Sequence, residues 1–217
     1  MVKRISVFIV LIAFLCGCTT APSTPSGSAE ELIESAKTKL EAGNLKGAVA
    51  DLEKATRIAP DSAEAHFLLG NAYTRLGRFD EAIKAYQKVL SLDPEHIGAM
   101  SNLGVVYYSK GELDKAVEQY KKALGLAPDD AELHYLLGAA YIQLNNLDEA
   151  LEEMEKAKEL KPSLPEPYYG LGVIYKLRGE KEKAIEALEH FLEIGPGQDP
   201  RATDEAKKLL KELKGGE

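Results

Sequence analysis

The chain has 217 residues, with 27 Lys plus Arg against 35 Asp plus Glu, for a formal charge of −8. Its 45% hydrophobic and 29% charged content is that of a folded chain and not a disordered one, and the acidic balance argues against a surface built to face phosphates. The only two cysteines, Cys16 and Cys18, lie two residues apart, which excludes a disulfide framework and any zinc site built on Cys pairs.

At the N-terminus, Lys3 and Arg4 precede an apolar run from Ile5 to Leu15 and then Cys-Gly-Cys-Thr-Thr, the three-part pattern of a secretory signal. From Ile5 to Cys18 there are 14 uncharged residues, too few at ~1.5 Å each to cross a ~30 Å hydrocarbon core. Leu15-Cys16-Gly17-Cys18 resembles the bacterial lipobox, Leu-x-(Gly/Ala)-Cys. That resemblance implies a signal over residues 1–17, cleavage before Cys18, and acylation of Cys18. It also implies that in a two-membrane bacterium Thr19 after the Cys, not Asp, favours the outer membrane, facing the periplasm. More than one acyl chain satisfies the condition for stable membrane attachment. Loss of Lys3 and Arg4 leaves 25 basic against 35 acidic side chains, a charge of −10. Thr19 to Ser28 has no apolar periodicity and reads as a flexible tether, so 18–28 form the lipidated Cys and its spacer.

Beyond the tether the chain repeats. Pro60, Pro94, Pro128, Pro162 and Pro196 are spaced by 34, as are Ala48, Ala82, Ala116, Ala150 and Ala184. Gly70, Gly104, Gly138 and Gly172 keep the same period, and so do Tyr73, Tyr107, Tyr141 and Tyr175. A fixed period of this length marks a repeat architecture. His66-x2-Leu69-Gly70-x2-Tyr73, followed by Ala82, Tyr86 and Pro94, resembles the tetratricopeptide repeat (TPR), with His66, Met100, His134 and Tyr168 in the place of its tryptophan.

The resemblance implies an all-α fold. Five helix pairs, over 29–62, 63–96, 97–130, 131–164 and 165–198, would form a right-handed superhelix closed by a capping helix in 199–217. Positions are counted from 1 within each repeat. Gly at position 8 and Ala at position 20 are small enough for two helices to approach closely. Gly43, Gly77, Gly111, Asn145 and Gly179 at position 15 suit a left-handed helix end. Asp80, Asp114 and Asp148 are expected as N-caps of the second helices. Ala36 and Lys39 depart from the pattern, as a terminal repeat does. After Asp199-Pro200, a cap and first-turn pair, Ala202, Ala206, Leu209, Leu210 and Leu213 share one helical face.

The sequence offers no catalytic constellation, cofactor motif or metal site, so no enzyme is expected. His66 and His134 occupy position 4 two repeats apart and cannot share a metal. Gly170-x-Gly172 lies within an expected helix with no strand before it.

In the resembled family the first helix of each repeat lines a concave groove through positions 2, 5, 9 and 12. Here that places Phe67, Tyr135 and Tyr169 at position 5, Asn71 at position 9, and Tyr108 and Ile142 at position 12. Glu64, Glu132 and Glu166 at position 2 would add a carboxylate row along one edge. The same aromatics have a plainer reading as cover for the core. The carboxylate-clamp subtype is not matched: Asn71 and Asn102 stand for its asparagines, but its basic residues fall on Phe67, Glu132 and Leu136. The expected partner is therefore a protein or peptide segment with apolar anchors and a basic residue. The expected function is a membrane-anchored interaction scaffold or adaptor of the bacterial cell envelope, without cofactor or nucleic acid. The layout resembles pilotin lipoproteins of type IV pilus secretin assembly, and equally adaptors for cell-wall hydrolases. A hydrolase accessory and a self-associating structural lipoprotein are the rival readings.

Overall fold

The structure, a computed structural model, describes residues 28–195 and 200–215. The expected signal, Cys18, the tether before Ser28, and Asp199 lie outside the described residues. Eleven α-helices and no strand occur among the described residues. They pair as α1 (Ala29–Glu41) with α2 (Leu45–Ile58), α3 (Ala63–Arg75) with α4 (Phe79–Leu92), α5 (Ile97–Ser109) with α6 (Leu113–Leu126), α7 (Ala131–Gln143) with α8 (Leu147–Leu160), and α9 (Glu166–Leu177) with α10 (Lys181–Ile194). The last helix, α11 (Pro200–Lys214), packs on α10. Each helix touches its neighbours in sequence, and the first helices of adjacent repeats also meet, as α1 meets α3 and α7 meets α9. That is the nearest-neighbour stacking of a solenoid. None of the described helices is long and apolar enough to cross a membrane.

The period-34 residues explain the packing. Position 20 is wholly buried in all five repeats, from Ala48 to Ala184. Position 8 is where the two helices of a pair close. A Cβ on Gly70 would stand 2.6 Å from the Tyr86 ring, one on Gly104 2.5 Å from Tyr120, and one on Gly172 2.6 Å from Leu188. Large residues at position 24 thus rest on bare backbone, and Tyr86 and Tyr120 are only 1% exposed. The first repeat keeps the order with a smaller difference, Ala36 at position 8 against Leu52 at position 24, both fully buried.

The turn between paired helices uses the left-handed region at position 15. Gly43, Gly77, Gly111 and Gly179 have φ between +71° and +75°, and Asn145 has +60°. The expected N-caps are corrected. Asp80, Asp114 and Asp148 lie inside the first turn of α4, α6 and α8, one residue past the start, and the cap positions are held by Arg78, Glu112 and Asn146 without side-chain cap bonds. The aspartates still favour the positive helix end. Two of them also reach forward: Asp80 pairs with Lys110 at 2.7 Å and Asp148 with Arg178, each joining position 18 to position 14 of the next repeat. Asp114 faces Leu144 in that register and has no such basic mate.

Side-chain caps open the first helices of the first four repeats, and Asn44 caps the second helix α2. Ser28 and Glu31 form a capping box on α1, Ser62 caps α3, and Asp130 caps α7. His96 Nδ1 accepts from the Ala99 amide on α5. The residues replacing tryptophan at position 4 tie repeats together. His66 Nε2 donates to the Pro60 carbonyl at 3.0 Å, His134 Nε2 to Pro128 at 2.9 Å, and the Tyr168 hydroxyl to Pro162 at 3.1 Å.

Candidate peptide-binding groove

Two hollows among the described residues hold side chains expected in the groove. The first, about 350 Å³, is bounded by Leu40, Asn71, Thr74, Arg75, Tyr86, Asn102 and Val105. Its polar groups are occupied by one another. Asn71 Oδ1 accepts the Tyr86 hydroxyl at 2.7 Å and the Asn102 amide at 2.8 Å, and Arg75 donates to the Leu40 carbonyl. Phe67 is half-buried beside this hollow, its ring 4.8 Å from His96 and 6.1 Å from Tyr86. Asn71 thus links the second and third repeats through Asn102, and Phe67 packs on rings of its own repeat.

The second hollow gathers the other expected groove residues. Tyr108, Tyr135, Ile142 and Tyr169 line a pocket of about 450 Å³ together with Glu166, Val173, Lys176 and the exposed Leu177. They come from α5, α7 and α9, each one repeat further along, so the 34-residue period delivers them to one side. Two further wall residues, Glu205 and Leu209, belong to α11. The sequence pattern predicts α11 only as a cap, so this contribution is an addition to it. The apolar face of α11 does cap the stack, with Ala206 and Leu210 packed against Tyr168, Leu188 and Phe191. Glu205 and Leu209 lie one turn apart on the flank of that face. A smaller hollow of about 180 Å³ adjoins it, shared by Tyr135, Glu166, Tyr169, Phe191 and Ala202.

Burial pushes the Tyr120 phenol up, with Tyr108 and Tyr135 adding to the shift, and burial likewise raises Tyr86. These hydroxyls remain protonated at neutral pH.

The carboxylate row is not uniform. Glu64 pairs with Lys37 at 2.8 Å and Glu132 with Lys161 at 3.1 Å, and Gly98 interrupts the series. Glu166 differs: its Oε2 is buried with no hydrogen-bond partner. Of the three carboxylates, it is the one without an ion pair among the described residues, although as the first residue of α9 it faces the positive helix end.

A larger hollow of about 610 Å³ lies on the other face of α9, among α8 and α10. Its tyrosines are committed, Tyr168 to Pro162 and Tyr175 to Glu155, and its lysines and glutamates are interleaved. Among the described residues no cluster of three or more His, Cys, Asp or Glu could hold a metal ion.

The TPR repeat pattern matches residues 70–111, 104–145 and 138–179, which together span half the chain. The chain belongs to the tetratricopeptide-repeat family. Two further matches, each described as a tetratricopeptide repeat, cover 39–89 and 165–197. No curated protein sequence matches the chain. Among solved structures it is similar to MamA (residues 41 to the end) from Desulfovibrio magneticus RS-1, at 27% identity and a TM-score of 0.73, over 79% of this chain and 97% of that one. It is similar to YrrB, described as a TPR protein with an unusual peptide-binding site, at 27% identity and a TM-score of 0.67, over 83% and 92%. Pseudomonas aeruginosa pilF shares the fold at 22% identity, with a TM-score of 0.71 over 85% and 88%. As TPR proteins do, this one has the architecture of a protein-interaction scaffold.

Proposed function

We propose that this protein is a lipid-anchored adaptor of the bacterial cell envelope, held at the outer membrane through Cys18 and capturing a partner segment in its concave groove. One observation carries the binding half: Tyr108, Tyr135, Ile142 and Tyr169, from three successive repeats, converge on a single pocket of about 450 Å³. Tyrosine supplies large contact area with little entropy to lose and is enriched among residues that dominate interface energy. The peptide-binding description of YrrB supports the same use of the fold. The anchoring half rests on the Leu15-Cys16-Gly17-Cys18 motif. The mechanism is local concentration, since a partner tethered beside a membrane meets its neighbours more often than a free one. Pilotin-like work on a secretin and recruitment of cell-wall hydrolases are both compatible with this layout, and the likeness to pilF is one of fold alone.

Crosslinking in the native envelope tests both halves. The wild type should trap a partner, and a Tyr135→Ala, Tyr169→Ala double variant with unchanged melting should lose it. Full retention of the partner by that variant would sink the groove reading. For the anchor, Cys18→Ser should abolish incorporation of labelled palmitate and release the protein from the membrane fraction; undiminished labelling would overturn it.

A further inference from the structure

Resting on the reading of the concave face as a peptide surface, we propose that the pocket beside α11 receives one arginine side chain of the partner, with Glu166 as its counter-ion and α11 as its far wall. The starting point is the Glu166 Oε2 atom, which is buried with no hydrogen-bond partner while its residue borders the 450 Å³ pocket. A carboxylate oxygen withdrawn from water with no donor is unfavourable, and a cationic donor is the group that relieves it best. None of the described residues donates to that oxygen, and Lys176, which borders the same pocket, pairs with Glu212.

The rest of the pocket suits the same occupant. Glu205 on α11 places a second, exposed carboxylate on the opposite wall. Tyr108, Tyr135 and Tyr169 offer aromatic surface to a cation entering between the two carboxylates. Arginine fits better than lysine, because a guanidinium is planar, stacks on aromatic rings and is less strongly hydrated than an ammonium. Leu177, 56% exposed at the rim, gives an apolar residue next to the arginine somewhere to rest. The other concave hollow cannot substitute. There Asn71 Oδ1 already accepts two hydrogen bonds, and the charged side chain present is that of Arg75. The basic residue is thereby assigned to the C-terminal end of the groove.

The test compares Ac-Ala-Leu-Arg-Leu-Ala-NH2 with the same peptide carrying citrulline, which keeps the shape of arginine and removes its charge. Binding to the full chain is followed by amide NMR shifts and by titration. The arginine peptide should shift amides of α9 and α11, bind about tenfold more tightly than the citrulline peptide, and lose that advantage in Glu166→Gln. Glu205→Gln, on an exposed residue, should lose a smaller part of it with unchanged melting, and so tests the pocket independently of any folding defect. Equal affinity of the two peptides, with shifts still in α9 and α11, would overturn the arginine assignment and leave the groove reading standing. Shifts confined to the opposite face of α9, or none with either peptide at millimolar concentration, would overturn both.

Discussion

The Tyr86 ring occupies the space that a side chain on Gly70 would need: a Cβ there would come within 2.6 Å of the ring. Tyr86 is 1% exposed and its hydroxyl is held by Asn71, so the ring cannot step aside. Gly70→Ala should therefore destabilise by about 1–3 kcal/mol, as overpacking does, even though Ala is the better helix former. Gly104→Ala beneath Tyr120 should behave alike. Gly138→Ala meets the flexible Met154 at 3.1 Å and should be near neutral. Gly125, in α6 with nothing within 4 Å of a Cβ, should gain up to about 1 kcal/mol on change to Ala. Denaturant midpoints of the four variants test this ranking, and equal effects at Gly70 and Gly125 would refute it.

Conformation, and not contact, decides the helix-pair turns. Gly77 has φ +71°, and a Cβ added there would meet nothing within 4 Å, so Gly77→Ala should cost about 1–2 kcal/mol through backbone strain alone. Asn145, the one non-glycine residue of positive φ among the described residues, gives the reciprocal test. Asn145→Gly should be neutral or slightly stabilising in thermal melts, whereas Asn145→Val should melt markedly lower.

Asn71 joins the second and third repeats through its hydrogen bond from Asn102. Asn71→Ala leaves the Asn102 amide without its acceptor and weakens the hold on the Tyr86 hydroxyl, which keeps only a 3.2 Å contact with Thr74. A loss of about 1–3 kcal/mol is expected, with peptide affinity at the tyrosine pocket unchanged. Stability measured alongside the NMR titration separates the two. A binding defect without a stability defect would return Asn71 to the groove.

Asp51 makes the first repeat sensitive to acid. Burial alone would push its carboxyl up, but hydrogen bonds from Lys39 and Ser35, with attraction from Lys39 and Lys54, outweigh burial and hold it below the usual carboxylate range. A carboxylate with a lowered folded-state value contributes stability that is fully present above the unfolded value of about 4, and loses it as pH falls through the folded value. The acid limb of the stability curve should thus shrink in Asp51→Asn, with the difference from wild type vanishing at low pH. A constant offset at all pH values would disprove the linkage.

Much of this is legible in the sequence because identical environments recur. Positions 8, 15 and 20 do one job five times, so the residue types Gly70, Gly77 and Ala82 announce that job by repetition. What repetition cannot reveal is where two copies differ. Asp80 looks like a cap by type, yet its offset from the helix start and the presence of Lys110 one repeat later make it a strut between repeats. Phe67 and Tyr135 share position 5, but His96 and Tyr86 enclose the first while the second borders an open pocket. The role of α11 is hidden for a similar reason. Being outside the period, Glu205 and Leu209 have no counterparts against which to be read.

Because each helix touches only close neighbours in the chain, the groove works as a ruler with 34-residue graduations. Copying one whole repeat would lengthen the apolar floor by one notch and leave every existing joint of the same type. The arginine pocket would not move with it, since α11 sits at the end of the stack. Evolution could in this way change the length of segment that is measured without changing the mark from which measurement begins.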